Sequence, residues 1–299
     1  VMTPVQLSLG TAQFGLDYGV TNRTGQVPEN EVKSILFAAQ LSEVRFLDTA
    51  QAYGDSESVL GRCLDPDSSF CLISKLPAQT SDPYTSSSVE AWELSFQQTL
   101  IRLGCSKIDS FLLHQPSDLL RSDSHVLLSW LSSLRQRSFV RRVGVSVYSS
   151  SDLDDLPLDQ IQIVQLPLSL YDQRALHDGT ISRLNGLGIA VHARSTFLQG
   201  LLLTPSEKWP AWVDPDFRLH HSSLEAFAVE HNITLLSLSL GFVQSCSQLE
   251  AAVVGVTTYT ELMSLLAVWM SDSTVHSFGD PHCWAWPKGH SLDPRLWPS

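Results

Sequence analysis

"FLDTAQAYGDSESVLG", residues 46–61, carries a short apolar run, Phe46 and Leu47, into an acid, Asp48. A turn bearing Tyr53 and Gly54 follows, then a segment of helical character near 56–64. A strand that hands over to a helix through a short turn is the repeating step of a parallel sheet. The step recurs along the chain. Short apolar runs, poor in strict alternation, stand at 5–11, 45–49, 70–75, 108–114, 141–147, 161–166, 189–194 and 251–256. Strands buried on both faces have that pattern. Helical segments are expected between them at 28–41, 56–64, 85–103, 124–137, 173–186, 222–231, 234–246 and 259–269. In 28–41, Pro28 opens the segment and Val32, Ile35, Leu36 and Ala39 share one face. In 85–103 a Ser/Thr-rich start leads to a stop at Gly104. Eight such strands alternating with helices predict an α/β fold, a single (β/α)8 barrel over 1–299. A doubly wound open sheet is the alternative, but "LGTAQFGLDYG" lacks the glycine spacing of its phosphate loop. The irregular stretches 197–221 and 270–299 are expected to cover the active face as a long loop and a tail.

Composition narrows the function. Hydrophobic residues make up 43% and charged residues 17%, enough apolar material for a large core. A formal charge of −12 repels phosphate backbones, so nucleic acid is excluded as a partner. The cysteines, Cys63, Cys71, Cys105, Cys246 and Cys283, are scattered and form no CxxC, as expected of reduced thiols in a cytoplasmic protein. "VMTPVQLSLG" lacks the pattern of a signal peptide, and the apolar stretches are too short to span a bilayer, so no membrane partner is expected. His220-His221 and "DPHCW" lack partner ligands at metal-binding spacing and are assigned to loops; no metal is expected.

In a barrel of this kind the loops after the strands form the active face. Asp48 ends the second strand, Tyr53 lies just beyond it, Lys75 ends the third and His114 the fourth. A carboxylate is costly to bury unless it is paired, and Lys75 is the cation within reach. Lys75 beside Tyr53 is expected to lower the phenol's pKa and ease proton donation to an oxygen. His114 would orient that oxygen or relay the proton. Singly, each residue suits a structural role; on successive strand ends they suit carbonyl chemistry. Trp209, Trp212, Trp284 and Trp286 are expected to pin the loop and tail to the barrel, with a substrate wall as the other reading.

At these residues the chain resembles the aldo-keto reductase family. "LDTAQAYGDSESVLG", "LISKLP" and "IDSFLLHQP" are similar to its strand-two, lysine-strand and histidine-strand signatures, in the same order. The resemblance implies that Asp48, Tyr53, Lys75 and His114 form the catalytic set. "VGVSVYS" and "IVQLPLSL" imply that Ser146 and Gln165 hold a nicotinamide carboxamide. "ARSTFLQGLL" places Arg194 and Ser195 in the segment over the cofactor, and "VVGVTTYTEL" places Thr257 and Glu261 at its adenosine end. Three positions depart from the family's habit: Val147 stands where asparagine is common, Arg194 where an aromatic residue stacks on the ring, and Glu261 near a basic position. The resemblance implies NADP(H), with NAD(H) as the alternative. Thr257 and Thr258 offer hydroxyls and N–H groups to a phosphate. No arginine or lysine lies between Arg218 and Lys288 to pair with it, unless Lys288 folds back or another loop supplies a cation.

The function so implied is reduction of an aldehyde or ketone to an alcohol, with Tyr53 as proton donor. "RSTFLQGLLL" and "DPRLWP" are similar to bacterial members that serve surface-sugar biosynthesis, which implies a sugar-like substrate. Two alternatives remain: a cofactor-binding regulatory or sensor protein with little turnover, and a barrel enzyme using Tyr53 and Lys75 for dehydration or epimerisation.

Overall fold

The computed structural model describes residues 4–271 and 280–298. Eight strands, β1 (Gln6–Gly10), β2 (Phe46–Asp48), β3 (Cys71–Leu76), β4 (Ile108–Leu113), β5 (Val140–Ser146), β6 (Ile163–Pro167), β7 (Ala190–Arg194) and β8 (Ala251–Gly255), close into a barrel in sequence order. All pairings are parallel, and β8 returns to β1. The chain is thus a (β/α)8 barrel, as its alternating pattern predicts. Inside it lies a layer of Phe46, Ile73, Leu112, Ile163 and Ala251. A larger apolar core fills the space between strands and helices. At Gly144 a Cβ would stand 1.8 Å from the Ile163 carbonyl oxygen, so β5 and β6 meet there only with glycine.

The expected helices form, with two corrections. The segment 173–186 is split into Arg174–His177 and Thr180–Gly186 by Gly179 at φ 79°. A left-handed residue interrupts a helix. The helix expected at 222–231 instead runs from Pro215 to Glu230. Asp214 accepts the N–H of Asp216 and Pro215 takes the first position, an N-terminal signal that lay unnoticed within the expected loop 197–221.

That helix anchors both irregular segments. Trp209 stacks on His221 at 4.4 Å and donates to the carbonyls of Leu201 and Thr204. Trp286 stacks on Phe217 at 4.8 Å. His220 Nε2 lies 3.0 Å from the Trp284 carbonyl oxygen. Residues 272–279 and 299 of the tail 270–299 lie outside the described residues. Among those described, no single helix is long and apolar enough to cross a membrane, and no group of three or more His, Cys, Asp or Glu stands together as metal ligands. All five cysteines are free thiols.

Candidate active site

Strand register brings the polar strand ends together. Asp48 pairs across from Gly10 and Ile73, Lys75 from Leu112, Ser146 from Gln165, and Arg194 from Pro167. Tyr53 sits in consecutive turns: its N–H reaches the Ala50 carbonyl, and its carbonyl accepts the N–H of Ser56. Ser56 Oγ donates to the Thr11 carbonyl at 2.8 Å and lies within hydrogen-bond distance of the hydroxyls of Thr11 and Thr49. Gly15 lets this turn seat itself, since a Cβ there would stand 2.0 Å from the Tyr53 carbonyl oxygen.

Lys75, only 1% exposed, donates to Asp48 Oδ2 at 2.7 Å and to the Thr49 carbonyl at 2.9 Å. The pair is therefore buried outright. Its nitrogen lies 5.1 Å from the centre of the Tyr53 ring, and the His114 ring meets Tyr53 edge-on at 5.8 Å. Gln165 donates its amide N–H to Asp48 Oδ1. Its carbonyl oxygen Oε1 is buried without a partner.

The electrostatics correct one expectation. Burial, then the Asp48 carboxylate, pushes the Tyr53 phenol above its ordinary pKa, rather than Lys75 pulling it down. The ammonium is committed to Asp48, so its field at the phenol is largely cancelled. Burial lowers the pKa of Lys75 itself against the pull of Asp48. Burial and then the Lys75 charge bring His114 down to about 4, so it is neutral at pH 7.

A cleft of about 800 Å³ opens above these groups. Asp48, Tyr53, His114 and Ser146 line it together with Thr257 and Glu261. Arg194 and Ser195 lie on its wall. Arg194 donates to the Val147 carbonyl at 2.6 Å and to Ser195 Oγ at 3.1 Å, while its Nε is buried unpartnered. Its guanidinium lies 4.1 Å from the centre of the Tyr148 ring, and Arg295 from the tail lies 3.7 Å from the same ring. Ser195, Leu198, Gln199 and Gly200 all have positive φ, and this loop meets the one after β1, where Thr21 Oγ1 donates to the Gln199 carbonyl at 3.3 Å. Lys288 does not fold back to the cleft as a cation; it is held by Asp214 and Asp216 at 2.9 and 3.0 Å.

Sequence reasoning overlooked Tyr18, Tyr148, Gln199 and the 21–24 loop as cleft walls. Tyr18, pushed to about 12 chiefly by burial and next by Tyr53, follows β1 much as Tyr53 follows β2. That placement after a strand end was the available signal.

The same fold is found in an aldo-keto reductase from Bacillus halodurans in its holo form, at 16% identity and a TM-score of 0.73, covering 94% of this chain and 92% of that one. It is found again in a glycerol dehydrogenase from Gluconobacter oxydans, at 21% identity and a TM-score of 0.66, covering 92% and 90%. An aldo-keto reductase of Mycolicibacterium vanbaalenii is 30% identical over 138 residues, 44% of this chain and 46% of that protein. One from Mycolicibacterium smegmatis is 28% identical, over 44% and 45%. The matched stretch thus spans less than half the length of either relative. Residues 6–278 match the model of the aldo/keto reductase family, and the chain belongs to that family.

Proposed function

We propose that this protein reduces an aldehyde or ketone with a nicotinamide cofactor, and that Tyr53 is the proton donor. The observation that carries the reading is the buried Lys75–Asp48 pair beneath the Tyr53 ring, in a cleft that also presents neutral His114. The residues fit the cofactor. The unpartnered buried Oε1 of Gln165, on the strand next to Ser146, is an acceptor suited to a carboxamide NH₂. When bound, the reduced nicotinamide supplies hydride to the carbonyl carbon. The carbonyl oxygen then gains negative charge, and Tyr53 delivers its proton to it. Burial and Asp48 keep the phenol protonated beforehand, so it enters the step as an acid. Lys75, by pairing with Asp48, offsets that carboxylate's charge as the phenolate forms, and His114 hydrogen-bonds the same substrate oxygen as a neutral donor. Microscopic reversal oxidises the alcohol.

Thr21, Asn22, Thr24 and Gln199 give the cleft polar walls, which suits a small sugar-like carbonyl compound. The loop 197–221 and the described part of the tail, 280–298, close over the active face in this reading, supported by Arg295 lying over Tyr148. Free thiols suit a reducing cytoplasm. A sensor with little turnover is the second reading, favoured by Arg194 occupying the Val147 carbonyl where a ring-stacking side chain was expected.

Tyr53→Phe removes only a hydroxyl. It should lower kcat by about 10²–10⁴ while cofactor affinity, read by fluorescence titration, stays nearly unchanged. Full activity in this variant would refute the assignment. Single-turnover oxidation of bound reduced cofactor by a panel of aldehydes separates an enzyme from a sensor.

A further inference from the structure

The start of the helix Tyr259–Trp269 borders the cleft, and the N–H groups of Thr257, Tyr259 and Glu261 are already engaged there. Glu261 Oε2 accepts both the N–H of Thr257, at 2.7 Å, and its hydroxyl, at 2.9 Å. A second carboxylate, Glu31, reaches across from the helix Glu29–Leu41 and accepts the N–H of Tyr259. Thr258 Oγ1 takes the N–H of Glu261 at 3.1 Å. A helix start with free N–H groups attracts a phosphate. Here two carboxylates stand where such an anion would dock.

We propose that Glu261, backed by Glu31, makes this cleft select NADH over NADPH. The proposal rests on the nicotinamide reading of the cleft, and it replaces the NADP(H) expectation drawn from the family. Tyr53, Asp48, His114 and Ser146 share one cleft with Thr257 and Glu261, so a dinucleotide with its nicotinamide beside Tyr53 occupies a cleft that also presents Glu261. NADPH differs from NADH by a 2′-phosphate, a dianion that needs cations or N–H donors. Against two carboxylates it is repelled. The free ribose hydroxyl of NADH is instead a donor that Glu261 can accept.

The neighbouring cations do not reverse this balance. Lys288 is held by Asp214 and Asp216, and Arg62 by Glu29. Arg194 donates to Val147 and Ser195. Arg23 also lines the cleft, from the loop after β1, and shares it with Glu261, while Glu31 stands behind at the Tyr259 N–H.

A plain helix cap would use Glu261 in the same geometry, so the test must separate a cap from a selector. Glu261→Gln keeps an acceptor oxygen for Thr257 and removes the charge. The full chain, as wild type, Glu261→Gln, Glu261→Arg and Glu31→Gln, is titrated with NADH and with NADPH by fluorescence at low and moderate salt. The wild type should bind NADH tighter, on the order of tenfold. Glu261→Gln should narrow that gap severalfold without changing the melting temperature, Glu31→Gln should narrow it less, and Glu261→Arg should bring NADPH level or ahead. NADPH bound as tightly as NADH by the wild type overturns the proposal. An unchanged ratio in Glu261→Gln overturns it too and leaves Glu261 a cap only. Binding of neither cofactor would refute the nicotinamide reading itself. If Glu261→Arg fails to fold, the Glu261→Gln ratio decides.

Discussion

Lys75 is a single ammonium serving two acceptors, and its burial makes both contacts matter. Water cannot replace Asp48 or the Thr49 carbonyl at 1% exposure. Removing one partner of a buried pair leaves an uncompensated charge, typically at about 3–5 kcal/mol. Lys75→Met should therefore lose stability on that scale, although Gln165 still donates to Asp48 and moderates the loss. The Lys75→Met/Asp48→Asn double variant should recover part of it, with a coupling of about 0.5–3 kcal/mol. Denaturant midpoints of the two single variants and the double variant check this; strictly additive losses would mean that the two act independently. Lys75→Met should also raise the apparent pKa that governs reduction, read from the pH–rate profile. Without the ammonium, the Asp48 carboxylate is no longer neutralised, and its charge pushes the Tyr53 phenol up further.

The element that positions Tyr53 is a turn wedged between β2 and the helix Ser56–Cys63. Three hydroxyls, on Thr11, Thr49 and Ser56, close it by mutual hydrogen bonds. Gly15 and Gly54 permit the close backbone approach, Gly54 with φ 53° and Gly15 by lacking a Cβ. Gly15→Ala sets a methyl 2.0 Å from the Tyr53 carbonyl oxygen, so the turn must move. Such a forced backbone shift costs about 1–3 kcal/mol, and a displaced phenol costs rate as well. We expect both the melting temperature and kcat to fall. Gly186→Ala is the matched control, because nothing lies within 4 Å of its Cβ position; it should be near neutral. Unchanged kcat in a folded Gly15→Ala would mean that the turn does not set Tyr53's position.

Across the whole molecule, closure of the barrel is reinforced at its N-terminal end. Arg142 on β5 joins Asp109 of β4 at 2.8 Å and Glu250, just before β8, at 2.6 Å. His192 of β7 meets the same Glu250 oxygen at 2.7 Å. Burial raises the Glu250 pKa, but hydrogen bonds and charge from His192 and Arg142 outweigh it and hold the group at about 2, against an ordinary 4.5. A depressed carboxylate contributes its stability above the unfolded value and loses it as pH falls through the folded one. The wild type should thus lose this contribution between pH 4.5 and about 2. Glu250 is a third exposed, so the contribution is screened. Glu250→Gln should be less stable at neutral pH and show a flatter decline through that acid window, as measured by chemical denaturation at stepped pH. An identical pH dependence would remove Glu250 from the account.

What the sequence determined by itself is periodic or local. Eight doubly buried strands, the stop at Gly104 and the polar residues at strand ends are set by neighbours in the chain, and the barrel follows from their alternation. Asp48, Tyr53, Lys75 and His114 were legible because each sits at or just beyond a strand end, where a parallel barrel brings side chains to one rim. What only the tertiary structure decided depends on groups distant in sequence. The Tyr53 phenol is raised rather than lowered because burial and then the Asp48 carboxylate act on it, with the Lys75 ammonium held by Asp48. The Tyr259 N–H at the last helix start is taken because Glu31 arrives from more than two hundred residues away. A pKa and an anion site are both sums over neighbours in space, and those neighbours exist only once the barrel has closed.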